Sequence, residues 1–375
     1  MQARKEGGVT LRDTGLDVAF PDGSSAYFNY FWLRDNCQTS FDAITRERSF
    51  DIFAEESAPE PEAAVLAEDA LELVWRCGHS SRYPLDFLTS YAAGAPRPDP
   101  ADLPRRAWLG DHYPNVPRYA QPALVADPAL RKAWFETILT EGVALITDMP
   151  DTPDALEVTA ALAGYVRPSF FGNSFEVMTH INPTNTAFTA SALELHTDLP
   201  SEEFAPGIQY LHCVANSVEG GNSIFVDAVA VANDFREQYP EDFKLLAETE
   251  IPYFCEHDAF DMRARQRVIE LDTHGEVSGV TISQHMADIF DLPQDFLDLY
   301  YPAFHRFGRL LQDEKYVMRF RLNASECICF DNHRVVHGRE AYTATSGDRH
   351  LRGCYTDRGE LRSAYRVLSG AGRFK

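Results

Sequence analysis

The sequence predicts a mostly β protein with flanking helices, in which a small strand-rich N-terminal unit precedes a larger domain built as a sandwich or barrel. Three observations carry this expectation. Short runs rich in aromatic and β-branched residues recur along the chain and are separated by turn residues. A proline cluster (Pro96, Pro98, Pro100, Pro104, Pro114 and Pro117) breaks any regular pattern between Ala93 and Gln121. The chain's 375 residues exceed the usual single-domain range and suit one large core plus a smaller unit. The division expected is a small β-rich domain over 1–95, a proline-rich linker over 96–125 and the main domain over 126–375.

In chain order, Ala26-Tyr27-Phe28-Asn29-Tyr30-Phe31-Trp32 and Ala70-Leu71-Glu72-Leu73-Val74-Trp75 read as strands, with Asp22-Gly23 as a turn before the first. Asp127-Pro128 pairs a helix N-cap with a proline at the first helical position, opening a helix through Trp134, Ile138 and Leu139 that ends at Gly142. Val143-Ala144-Leu145-Ile146 then reads as a buried strand. Leu292-Pro293 opens a long helix whose Phe296, Leu297, Tyr300, Phe304, Phe307 and Leu311 recur near 3.6 residues, a core-facing stripe. Apolar segments 207–214, 222–228, 316–322 and 325–330 supply strands of the sandwich or barrel. No internal repeat or low-complexity tract interrupts them.

Composition excludes several function classes. A formal charge of −23 and dispersed acidic residues disfavour nucleic acid and anionic lipid surfaces as partners. No stretch approaches the roughly 18 apolar residues of a membrane span, and the first residues lack an apolar signal core, so a cytoplasmic location is expected. Seven cysteines without a C-x-x-C pair, several inside apolar runs such as Cys327-Ile328-Cys329-Phe330, suit reduced buried thiols.

The chemistry enters at Leu193-Glu194-Leu195-His196-Thr197-Asp198. Residues two apart on a strand project to the same side, so His196 and Asp198 can share one metal. His337, in Asp331-Asn332-His333-Arg334-Val335-Val336-His337-Gly338-Arg339, is the candidate third ligand. Two imidazoles and one carboxylate on one face of a metal leave the opposite positions open, the arrangement that suits non-haem Fe(II) and oxygen activation. Downstream stands Arg349, whose planar guanidinium offers a fork for a carboxylate such as the distal end of 2-oxoglutarate. A zinc hydrolase could use the same three ligands, but no H-E-x-x-H helix motif accompanies them. A binding barrel without chemistry would break the triad or lack Arg349, and neither is the case.

Most of the chain resembles the γ-butyrobetaine hydroxylase group, which also holds the trimethyllysine hydroxylases and lies near the taurine dioxygenases. The similar stretches are Phe31-Trp32-Leu33-Arg34-Asp35-Asn36-Cys37, Trp75-Arg76-Cys77-Gly78-His79-Ser80, His196-Thr197-Asp198, Pro206 to Cys213, Gly220-Gly221-Asn222-Ser223 and Asp331 to Arg339. The first two resemble an accessory domain that taurine enzymes lack. The resemblance implies a double-stranded β-helix (jelly-roll) catalytic domain and hydroxylation dependent on Fe(II), 2-oxoglutarate and O2, with succinate and CO2 as co-products. His196, Asp198 and His337 match the iron ligands and Arg349 the 2-oxoglutarate arginine, while Asn185 and Leu211 match positions that contact the cosubstrate. Asp331 or Asn332 is expected to orient His337. The group's habit implies a homodimer.

Departures from the group's pattern refine this. Of the group's structural zinc ligands, three cysteines and a histidine, only Cys37 and His79 match; Thr39 and Asp42 stand at the other two positions, so no structural zinc is expected. Phe171, Phe175, Phe188 and Tyr355 match an aromatic cage that holds a trimethylammonium group by cation–π attraction. The segment Thr281-Ile282-Ser283-Gln284-His285 lacks the asparagine that helps hold a substrate carboxylate. Ser283, Gln284 and a protonated His285 are expected to take a bulkier anion. The substrate expected is therefore a small quaternary ammonium zwitterion, with 2-(trimethylamino)ethylphosphonate narrowly ahead of γ-butyrobetaine and a taurine-type sulfonate as a further alternative.

Overall fold

The computed structural model describes residues 5–6, 8–178 and 189–370. They fall into two compact units, Met1–Asp99 and Pro100–Lys375.

The first unit runs β1 (Lys5–Glu6), β2 (Val9–Leu11), β3 (Gly15–Ala19), β4 (Ser25–Asn29), α1 (Tyr30–Asp35), β5 (Pro61–Leu66), β6 (Ala70–Trp75), β7 (Ser80–Pro84) and α2 (Leu85–Ala92). Strands β1 to β4 form one antiparallel meander and β5 to β7 another. Alternation along β6, where Leu71, Leu73 and Trp75 are buried and Glu72 and Val74 exposed, is the period-2 signature of a half-buried strand. Polar atoms in this core are satisfied: Trp75 Nε1 donates to Ser81 Oγ at 2.8 Å, and Tyr83 Oη donates to the Leu33 carbonyl at 2.6 Å. The run 26–32 is only partly a strand. Asn29 caps a short helix by accepting from Trp32 N at 3.2 Å, so Tyr30, Phe31 and Trp32 are helical.

The second unit continues with β8 (Arg118–Ala120), α3 (Gln121–Ala126), α4 (Pro128–Glu141), β9 (Val143–Thr147), α5 (Ala155–Ala160), β10 (Val166–Arg167), β11 (Ser174–Val177), β12 (Leu193–His196), β13 (Ile208–Asn216), β14 (Glu219–Gly220), β15 (Ser223–Asp227), α6 (Ala228–Gln238) and α7 (Pro240–Glu248). It closes with β16 (Glu250–His257), β17 (Phe260–Arg267), β18 (Ile269–Leu271), β19 (Val277–Val280), α8 (Gln294–Leu311), β20 (Met318–Phe320), β21 (Glu326–Asp331), β22 (Val335–Arg339), β23 (Tyr342–Thr343), β24 (Arg349–Thr356) and α9 (Arg358–Leu368). The stretch 96–125 is not a free linker. From Pro100 onward it belongs to this unit, and β8 pairs in parallel with β9, because the extended backbone that Pro117 favours leads directly into a strand.

Among the described residues, two sheets make the jelly roll. The larger has the order β10-β24-β13-β21-β9-β8 with β11 also on β24; the smaller has the order β12-β22-β15-β20. Val143, Leu145, Ile328, Phe330 and Leu351 of the larger sheet and Phe225, Met318, Phe320 and Val335 on or beside the smaller one share one buried core. Helices α4, α5 and α9 contribute to a second core with strands of the larger sheet, and α6, α7 and α8 to a third with the smaller. Helix α4 follows its sequence signals closely: Asp127 accepts from Ala129 N at 2.8 Å and Gly142 ends the helix at φ 76°. On α8, Tyr300, Phe304, Phe307 and Leu311 are buried, with Phe296 and Leu297 packed at the edge of the same cluster.

Candidate active site

The two candidate metal-ligating histidines come from neighbouring strands, and Asp198 lies in a bend just past the end of the first, not on the strand as the sequence period suggested. β12 pairs antiparallel with β22, and His196 lies directly opposite His337. The register shifts by one residue between Leu193 and His196, a β-bulge that re-aims the end of β12. Gly338 makes this approach feasible, since a Cβ there would lie 2.5 Å from the Leu193 carbonyl oxygen. His196 Nδ1 donates to the Glu194 carbonyl at 2.8 Å, which leaves Nε2 to face a ligand. That Nε2 lies 3.0 Å from Asp198 Oδ1, and His337 Nε2 lies 3.7 Å from the same oxygen. One donor atom from each of His196, Asp198 and His337 falls within 4.8 Å of the others.

Burial and charge make these donors metal-ready. Burial, with the neighbouring His196, pushes His337 down to about 3, so its imidazole is neutral at physiological pH. Burial alone would raise Asp198, but His337, His196 and the Tyr355 hydroxyl outweigh it and hold the carboxyl below its ordinary range. Tyr355 Oη donates to Asp198 Oδ2 at 2.7 Å. Asn332 fixes the same residue through its backbone, accepting from Asp198 N at 2.8 Å and donating to the Asp198 carbonyl at 3.1 Å. The expectation that Asp331 or Asn332 orients His337 is thus corrected: Asn332 holds the turn at Asp198, and Asp331 pairs with Arg358 at 3.0 Å. His337 Nδ1 is buried with no protein partner among the described residues.

The triad opens into a cavity also lined by Phe175, Gln209, Leu211 and Arg349. On β24 the residues Arg349, Leu351, Gly353 and Tyr355 alternate onto one side, and Arg349 is only 9% exposed. Its Nε and one terminal nitrogen are buried without a hydrogen-bond partner among the described residues. Burial and Arg339 lower its pKa to about 10, so it remains a cation at neutral pH. A desolvated guanidinium with unsatisfied donors, in the cavity that holds the triad, fits an incoming carboxylate. Leu211 is in the cavity wall as expected, whereas Asn185 lies outside the described residues.

Three of the four expected cage residues form a ring-to-ring run. Phe171 and Phe175 have centroids 5.4 Å apart, as do Phe175 and Tyr355. Phe175 sits directly across from Gly353, where a Cβ would meet its ring at 2.2 Å, so the missing side chain is what admits the ring. Phe188 lies outside the described residues. The anion-site expectation is corrected in part. Ser283 is buried, with Oγ 3.5 Å from His285 Nδ1, while Gln284 lines a separate groove beside Tyr301 and Phe304 of α8. His285 packs edge-on to His196 with centroids 4.9 Å apart, and burial with that neighbour pushes it down to about 4, so it is no cation at neutral pH. Sequence reasoning missed the Tyr355 hydroxyl's bond to Asp198 and the clasp by Asn332. The only available signal was the two-residue period linking Tyr355 to Arg349.

Comparison with known proteins places this geometry in a lineage. Residues 118–355 match the model of the family described as taurine catabolism dioxygenase TauD, TfdA family. The chain belongs to that family. Residues 9–89 match a gamma-butyrobetaine hydroxylase-like N-terminal domain. The gamma-butyrobetaine dioxygenase of Pseudomonas sp. (strain AK-1) is 33% identical over 95% of this chain and 94% of its own. The human gamma-butyrobetaine dioxygenase is 26% identical over 94% of each chain, and the mitochondrial trimethyllysine dioxygenase of Gallus gallus is 27% identical over 96% of this chain and 87% of its own. This TauD-family protein is an Fe(II)- and 2-oxoglutarate-dependent dioxygenase, and the donor set of two imidazoles and one carboxylate fits that metal.

In the first unit, Cys37 Sγ lies 3.1 Å from Thr39 Oγ1 and 3.7 Å from His79 Nε2, and Thr39 Oγ1 lies 3.1 Å from the same His79 nitrogen. Asp42 Oδ1 is occupied in accepting from Ile44 N and Thr45 N. One thiol and one imidazole do not make the four-ligand set of a structural zinc.

Proposed function

We propose that this dioxygenase hydroxylates a small zwitterion carrying a trimethylammonium group. The observation that carries the reading is the run Phe171–Phe175–Tyr355 ending beside the metal-ligand carboxylate, ring faces that attract a cation having no N–H to donate. The names of the relatives, gamma-butyrobetaine dioxygenase and trimethyllysine dioxygenase, support the same class.

In this reading His196, Asp198 and His337 hold Fe(II), and Arg349 takes the distal carboxylate of 2-oxoglutarate. Iron and 2-oxoglutarate, when bound, supply an oxidant able to hydroxylate an unactivated C–H bond, with succinate and CO2 released. The protein's own contribution is positioning. Asn332 and Tyr355 keep Asp198 in place, Glu194 fixes the His196 tautomer, and the rings stop the ammonium at a set depth, so that one carbon is presented. A neutral His285 and a Gln284 turned to another groove weigh against a phosphonate dianion, which reverses the order expected from sequence and puts γ-butyrobetaine first.

The test is a substrate panel of γ-butyrobetaine, 2-(trimethylamino)ethylphosphonate, trimethyllysine and taurine, scored by hydroxylated product matched to succinate. Coupled turnover of a trimethylammonium compound, highest with γ-butyrobetaine, is expected. Coupled turnover of taurine alone would sink the reading.

A further inference from the structure

Two guanidiniums of the cavity wall share one aromatic ring. The guanidinium carbon of Arg339 lies over the Tyr342 ring at 5.0 Å from its centroid, and that of Arg349 at 5.4 Å. All three side chains are buried. The two cations are held differently. Nη2 of Arg339 donates to the Thr189 and Ser191 carbonyls at 2.8 and 2.7 Å. The guanidinium of Arg349 makes no hydrogen bond or ion pair among the described residues, so the Tyr342 ring is the contact left to hold its charge. Burial and Arg339 both weaken Arg349 as a cation, and Tyr342 opposes them. Tyr342 is itself anchored through its backbone: it sits opposite Gly220 in the β14–β23 pair, and its N donates to the Ala190 carbonyl at 3.1 Å. Gly221, at φ 70°, donates its N to the Ala341 carbonyl at 3.1 Å, and a Cβ there would lie 3.2 Å from Tyr342 Cβ and 3.5 Å from Arg349 Nε. The Gly220-Gly221 pair thus makes room for ring and guanidinium together.

We propose that Tyr342 is a positioning residue for the cosubstrate, its ring holding the Arg349 guanidinium so that the unspent N–H groups meet the distal carboxylate of 2-oxoglutarate. This rests on the reading of Arg349 as the 2-oxoglutarate arginine. Holding an arginine by hydrogen bonds uses up the N–H groups that recognise a ligand. A ring face attracts the charge and uses none, which leaves Nε and a terminal nitrogen to face a carboxylate. A Tyr342 that merely filled space would support every ligand of the cavity alike, whereas one that aims Arg349 matters only to a ligand with a carboxylate at that end.

The experiment measures Kd by calorimetry, with Fe(II) bound and oxygen excluded, for 2-oxoglutarate and for 2-oxopentanoate, the 2-oxo acid of the same chain length that ends in a methyl group. Tyr342→Leu and Tyr342→Met, which remove the ring, are expected to weaken 2-oxoglutarate about tenfold and 2-oxopentanoate by less than about twofold. Tyr342→Phe, which keeps the ring, is expected to stay within about twofold of wild type for both acids. The methionine adapts to an irregular gap and covers the case of a leucine variant that folds poorly. Equal losses for the two acids, no loss in the ringless variants, or a loss in Tyr342→Phe as large as in Tyr342→Met would overturn the proposal. Arg349→Gln separates it from the reading beneath it. An unchanged preference for 2-oxoglutarate in that variant would remove Arg349 from the cosubstrate site and the proposal with it, whereas a lost preference there with Tyr342→Met unaffected would remove Tyr342 alone.

Discussion

Tyr355 serves two neighbours at once. Its hydroxyl donates to Asp198 and its ring lies beside Phe175. The two roles are separable by one oxygen atom. Tyr355→Phe keeps the ring and leaves a buried carboxylate oxygen short of its donor, and loss of such a supporting hydrogen bond commonly weakens metal binding by about 10- to 100-fold. Titration of Fe(II) into the variant is expected to show a loss in that range, with KM for the trimethylammonium substrate changed by less than about threefold. An unaltered iron affinity would mean that the hydroxyl does not support Asp198. That His196, Asp198, His337 and Arg349 share one cavity wall was legible at this scale because each is a residue type whose chemistry is scarce, although Asp198 reaches it from a bend past β12 and not from a strand position. The role of Asn332 was not legible, since its side chain meets Asp198 only after the chain has returned from a long excursion.

Among elements, the pairing of β12 with β22 decides whether a site exists. Gly338 lies under the β12 backbone, where an added methyl would meet the Leu193 oxygen at 2.5 Å and the Glu194 carbonyl at 3.2 Å. Neither can swing aside as a flexible side chain would. Gly338→Ala is expected to push β12 outward and carry His196 away from His337, abolishing the anaerobic Fe(II)–2-oxoglutarate charge-transfer band while the far-ultraviolet circular dichroism stays near wild type. A full-strength band would exclude the tight strand approach as the determinant. Helix α4 was readable to within a residue because Asp127, Pro128 and Gly142 each act locally. The run 26–32 was misread because the Asn29 cap outweighs the β propensity of Tyr30, Phe31 and Trp32. The stretch 96–125 was misread because proline density signals the absence of helix, not the absence of structure, and β8 needs only three residues. The bulge in β12 leaves no trace in residue type.

For the molecule as a whole, the buried ligands tie stability to pH. The His337 imidazole takes a proton near its ordinary 6.5 in the unfolded chain and only near about 3 in the folded one. The unfolded state therefore binds more protons between those values, so the contribution to stability is complete above about pH 6.5 and is lost as pH falls toward 3. For metal-free protein taken from pH 6.5 to 5 this amounts to about 2 kcal/mol, a shift in Tm of a few degrees for a chain of this size. Calorimetry of wild type and His337→Gln is expected to show the steeper acid decline in wild type, and parallel curves would contradict it. The seven cysteines are free thiols, and among the described residues no helix is long and apolar enough to cross a membrane.

Because His196 and His337 are direct partners across adjacent strands, the distance between them is set by the spacing of a hydrogen-bonded ladder and by nothing in the loops, helices and hairpin that connect them. Within the intervening chain, which also carries Asp198, Asn332 and β15, the β16–β17 hairpin forms a separate two-stranded sheet, so its length can change without altering the β12–β22 register. The rings of the proposed cage, Phe171 and Phe175 before β12 and Tyr355 after β22, lie outside that connection, so new selectivity can be sought on β11 and the turn before it while the anchoring ladder is left alone.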